Sequence, residues 1–114
     1  KVGASLDVQK TAEKVGATDQ VFDAANHTIK YSVTVTANGA VNNAKFTDTY
    51  SNNMTLQKAT VKVNGVTATA TDFTPADTNK RGFEIDLGNM QSGDQKVVTY
   101  TMKADDSVLF ANGG

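Results

Sequence analysis

Two side chains of this 114-residue chain place reactive groups where charge is costly: the amine of Lys10 and the carboxyl of Asp48. Lys10 shares the phase of Leu6, Val8 and Ala12 in an alternating run, opposite Asp7, Gln9, Thr11 and Glu13. Asp48 lies between Phe46 and Tyr50 on one side of a second run, opposite Lys45, Thr47 and Thr49. Residues two apart in a strand point the same way, so both ionisable groups are expected on apolar faces. An uncompensated amine or carboxylate in a low-dielectric interior costs several kcal/mol, so each needs a partner or a reaction. Either the two pair with each other or they do chemistry. The plainer alternative places each near a strand end, with the Lys10 head reaching water and Asp48 accepting hydrogen bonds from a neighbouring turn.

Composition removes most other chemistry. With no Cys and one His, thiol reactions, disulfides, zinc-finger spacings and Ser/His or Cys/His catalysis lack their residues. His27 stands alone and reads as a loop residue. Asp72, Asp77, Asp86, Asp94, Asp105 and Asp106 do not follow the spaced-oxygen pattern of a calcium loop, so they read as solvated acids and no metal or cofactor is expected. A net charge of -1 offers no electrostatic footprint for nucleic acid or an anionic membrane surface.

The elements that must carry Lys10 and Asp48 are strands. Sixteen Thr and thirteen Val against four Leu favour a pleated surface over a helix. Alternation predicts strands over residues 6–15, 28–37, 43–50, 82–87 and 95–103, and a hairpin of 59–63 with 66–70 about Asn64-Gly65. Residues 54–58 are ambiguous, 73–81 read as a connection with one helical turn, and 88–93 read as a turn that includes Asn89. Residues 105–110 form a weak apolar stretch. Tyr31, Tyr50 and Tyr100 fall on inward faces and read as core anchors. Seven or so strands at turn spacings near ten residues predict one all-β domain over residues 1–114, an immunoglobulin-like two-sheet sandwich. The start of the chain has no signal-peptide run, and an excised segment of a longer protein is the favoured origin.

The order Leu6-Asp7-Val8-Gln9-Lys10-Thr11, then Ile29-Lys30-Tyr31-Ser32-Val33-Thr34-Val35 with Asn38-Gly39, then Phe46-Thr47-Asp48-Thr49-Tyr50, then Leu87-Gly88 with Val97-Val98-Thr99-Tyr100-Thr101 resembles the immunoglobulin-like repeats of Gram-positive surface adhesins and pilins. The collagen-adhesin-like branch of that family ties a Lys on the first strand to an Asn on the last through an isopeptide bond, assisted by an Asp between them. The resemblance implies Lys10 as nucleophile and Asp48 as proton shuttle. Burial favours a neutral amine beside a neutral acid, the forms such a reaction needs. It runs once per molecule, so the domain is expected to be a single-turnover, self-modifying module and not an enzyme.

The acceptor departs from the pattern. The resemblance places it on a strand expected after Gly114, so the segment is expected to lack its final strand; Asn112, in a Gly-rich setting, makes a poor substitute. The implied setting is the outer surface of a bacterial cell. Implied partners are neighbouring repeats, a host extracellular protein, or a complementing β-strand at an open edge. The competing expectation is a protein- or glycan-binding sandwich with no cross-link.

Overall fold

A computed structural model of the chain describes residues 4–105. Among the described residues nine strands follow one another: β1 (Leu6–Ala12), β2 (Phe22–Asp23), β3 (Thr28–Ala37), β4 (Val41–Ser51), β5 (Met54–Val63), β6 (Val66–Thr67), β7 (Ala70–Phe73), β8 (Lys80–Met90) and β9 (Gln95–Ala104). They form two antiparallel sheets packed face to face, an all-β sandwich. One sheet runs β1-β3-β9-β5-β6, with β2 also paired to β3; the other runs β4-β8-β7.

Period-2 patterning builds the core. Val33, Val35 and Ala37 of β3, Phe83, Ile85 and Leu87 of β8, and Val98, Tyr100 and Met102 of β9 are buried, while alternate Thr, Ser and charged residues face out. The β5–β6 hairpin turns on Asn64-Gly65, both at positive φ (51° and 80°), the geometry that matches the twist of the strands it joins.

Several local expectations are corrected. The run 66–70 is split between sheets: β6 stays with β5, whereas β7 pairs with β8. Residues 74–79 contain no helical turn; Asp77 instead accepts from the Asn79 amide and its carbonyl takes the Lys80 amide. Strand β8 continues through Gly88 to Met90, because Gly88 at φ 73° accommodates an irregularity opposite Ala44. Residues 54–58 belong to β5, which loses register with β9 between Gln57 and Lys62. The Thr60 hydroxyl fills that gap, accepting from the Thr101 amide and donating to the Gln57 carbonyl. Strand β1 ends at Ala12, and Asn112 and the apolar stretch after Asp105 lie outside the described residues.

The mismatch in sheet width positions the site. Strand β1 is the edge of the wide sheet and β4 the edge of the narrow one. Among the described residues no strand pairs with the outer edge of β4, so the inward face of β1 is incompletely covered and Val8 is 46% exposed.

Candidate functional site

Register brings four side chains together. Lys10 stands opposite Val33 and Ala12 opposite Tyr31, and Tyr31 in turn stands opposite Tyr100. Directly opposed residues of antiparallel strands share a face, so Lys10, Tyr31 and Tyr100 all point between the sheets. Asp48 approaches from the facing sheet, where it stands opposite Phe83 on β8.

Lys10 Nζ lies 2.6 Å from Asp48 Oδ2. The Tyr100 hydroxyl donates to the same oxygen at 2.8 Å, and the Thr49 amide donates to Oδ1 at 2.9 Å. The amine sits 4.5 Å from the centre of the Tyr31 ring and 5.9 Å from that of Tyr100. Tyr31 and Tyr100 are 5.7 Å apart, and Tyr100 also meets Phe46 and Phe83, at 6.2 and 5.2 Å. An ammonium held over a ring face gains an attraction of roughly 0.5–1 kcal/mol at a partly exposed position.

The setting differs from the interior location expected for this pair. The Lys10 and Asp48 side chains are 38% and 22% exposed, so the pair sits at the rim of the sandwich. The cause is again the narrow sheet, which reaches β1 through the Asp48 side chain without covering it. Desolvation is partial, and the hydrogen bonds and ring contacts supply compensation. Tyr100 is different: at 1% exposure it is a core residue whose hydroxyl must find a partner, and Asp48 is that partner. Burial, and then the hydrogen bond and charge of Asp48, push its phenol well above the usual tyrosine range.

The other residues weighed for chemistry lie elsewhere. Asn89 is a strand residue near the end of β8, where its side-chain oxygen accepts from the Asn43 amide and steadies the irregularity in β4. Among the described residues no cluster of three or more His, Asp or Glu is arranged to hold a metal ion. An open cleft of about 550 Å³ is lined by residues including Glu13, Lys14, Asp23, Asn26, Lys30 and Lys103, away from Lys10 and Asp48.

Two residues escape the sequence reading, one in the site and one outside it. Tyr100 was legible as an inward residue, but its bond to Asp48 depends on how two sheets face each other. Lys96 shares the phase of Val98 and stands opposite buried Val35, yet its amine donates to the Leu87 carbonyl beside the β8 irregularity. Its phase was a signal available in the sequence. Compared with known proteins, the chain matches no family model, no curated protein and no solved structure.

Proposed function

We propose that the chain is an immunoglobulin-like structural and adhesive repeat of a bacterial cell-surface protein, and that Lys10 and Asp48 are the nucleophile and proton shuttle of a self-formed Lys-to-Asn cross-link. The observation that carries this reading is the 2.6 Å contact between an amine on β1 and a carboxylate on β4, made across the gap between two sheet edges. An ion pair meant for stability alone is a poor investment at such a rim, where desolvation and ordering offset most of the attraction. Here the pair is also held against a tyrosine hydroxyl and an aromatic ring.

Among the described residues the outer edge of β4 is unpaired, and this supports the placement of the acceptor. A strand added there finds backbone hydrogen-bonding groups and covers Val8, with every second side chain directed into the gap between the sheets and one of them level with Lys10. A carboxamide presented this way meets the amine at fixed distance, and such orientation is worth effective molarities of roughly 10⁵ M or more. Asp48 first takes a proton from the ammonium. The neutral amine attacks the carboxamide carbon, the new Nζ–C bond forms, the carboxamide C–N bond breaks, and one amine proton passes through Asp48 Oδ2 to the departing nitrogen, which leaves as ammonia. The product is an amide joining β1 to the added strand, a tie that resists pulling because separation then requires breaking a covalent bond.

Peptide mapping by mass spectrometry of the protein recovered from its native source tests this. The expected finding is a branched peptide joining Lys10 to an Asn, lighter by one ammonia than its two components. Quantitative recovery of Lys10 as free lysine would overturn it.

A further inference from the structure

We propose that Tyr100 is the positioning residue of this site: its hydroxyl occupies one lone pair of Asp48 Oδ2, so the proton-accepting position left on that oxygen faces the Lys10 amine. The inference rests on the cross-linking reading above and adds to it the group that fixes the shuttle.

A carboxylate oxygen has two lone-pair sites. On Oδ2 of Asp48 the two donors are Tyr100 at 2.8 Å and Lys10 at 2.6 Å. The Thr49 amide holds Oδ1 and limits rotation of the carboxylate. Proton uptake from Lys10 therefore places the new O–H on the side from which the amine attacks and from which the leaving nitrogen must be protonated. Without the phenol, the carboxylate has a second site open on Oδ2, and a proton there points into the core, useless for the reaction.

Packing alone does not account for Tyr100. Its ring is surrounded by Phe46, Phe83 and Tyr31, a setting that Phe fills as well, and the hydroxyl adds the desolvation cost of a buried polar group. What the hydroxyl contributes is the bond to Asp48. Burial and the adjacent carboxylate keep the phenol protonated, so it remains a donor under conditions where an amine nucleophile is generated.

The test compares Tyr100→Phe with Tyr50→Phe in the full native chain made by cell-free synthesis, following cross-link formation by intact mass against time at a series of pH values. Tyr100→Phe is expected to slow the reaction about ten-fold, the size of losing one hydrogen bond to a charged group, and to displace its pH profile. Tyr50→Phe keeps its ring against Phe83, outside the Lys10–Asp48 array, and is expected to change neither. Parent-like rate and pH profile in Tyr100→Phe, or equal effects of the two substitutions, overturn the proposal. A parent chain that never cross-links overturns the functional reading instead. Tyr100 is then judged by a double-mutant cycle of Tyr100→Phe with Lys10→Met, read as shifts in unfolding midpoint. Non-additive shifts support two donors sharing Asp48, and additive shifts overturn it.

Discussion

Among the described residues two Lys–Asp pairs bridge the sheets of this sandwich, one at each flank, and they are built differently. Lys10–Asp48 joins β1 to β4 at 2.6 Å; Lys58–Asp72 joins β5 to β7 at 2.8 Å. The distances are nearly equal, yet the Lys58 and Asp72 side chains are 53% and 62% exposed. Asp48 is gripped by a core tyrosine and a backbone amide, and Lys10 rests on an aromatic ring. Separation alone therefore says little about what a charged pair contributes. The difference lies in the neighbouring donors, which turn one pair into a fixed array and leave the other a screened surface contact.

Removing the two carboxylates should separate the pairs most widely. Asp48→Ala leaves the Tyr100 hydroxyl buried without its partner and Lys10 without a counter-charge, and should cost about 3 kcal/mol in denaturant unfolding. Asp72→Ala should stay within about 0.5 kcal/mol. Equal losses would show that the two flanks are energetically alike and that the array around Asp48 is ornamental.

Tyr100→Phe should come next, at about 1.5 kcal/mol near neutral pH, the low end for a hydrogen bond to a charged acceptor. It also has a pH signature. Because the folded phenol titrates above its unfolded value, its contribution is fully present below about pH 10, where the unfolded tyrosine keeps its proton, and is lost as pH rises further. Parent protein should thus lose stability in alkaline titration faster than Tyr100→Phe, measured by circular dichroism at fixed denaturant. Parallel curves would mean that the phenol ionises as freely in the fold as in the unfolded chain.

These differences show what could and could not be read along the chain. The inward phases of Lys10 and Asp48 followed from alternation with Leu6, Val8, Phe46 and Tyr50, and β3 and β9 were legible over almost their full lengths for the same reason. Lys96, equally in phase with apolar residues, ends on a carbonyl, so inward phase marks a charge needing compensation without stating which kind. The β5 irregularity was not legible, since its register is set by Val61 entering the core and by the Thr60 hydroxyl finding Thr101 across the sheet. Burial of Lys10 was overestimated for a tertiary reason: sheet width is decided by how strands are shared between layers, and no local pattern encodes it.

Within the narrow sheet, β7 is seated on β8 by an apolar contact. Phe73 stands opposite Gly82 on the outward side of the narrow sheet, and a Cβ added to Gly82 would lie 2.5 Å from the Phe73 ring. The ring uses the glycine as its seat. Gly82→Ala must therefore push Phe73, already 39% exposed, off the sheet, and should cost about 1 kcal/mol in lost cover. In the Phe73→Ala background the same substitution should become neutral or slightly stabilising, because alanine suits a strand better than glycine. A full cost in both backgrounds would place the strain in the backbone of β8.

Salt gives the smallest and most selective probe. Raising ionic strength from 0.01 M to 1 M shortens the screening length from roughly 30 Å to 3 Å, which weakens exposed pairs more than shielded ones. Lys58→Met should therefore cost at most about 0.5 kcal/mol at low salt and almost nothing at high salt. Lys10→Met should retain most of its larger cost at 1 M, because the ring contact and the shared hydrogen-bond acceptor are short-range and partly withdrawn from solvent. The informative quantity is the difference of differences, measured by urea unfolding at matched temperature. If salt erases both costs equally, Asp48 is as solvent-screened as Asp72, and the amine at position 10 lacks the fixed geometry that attack on a neighbouring carboxamide requires.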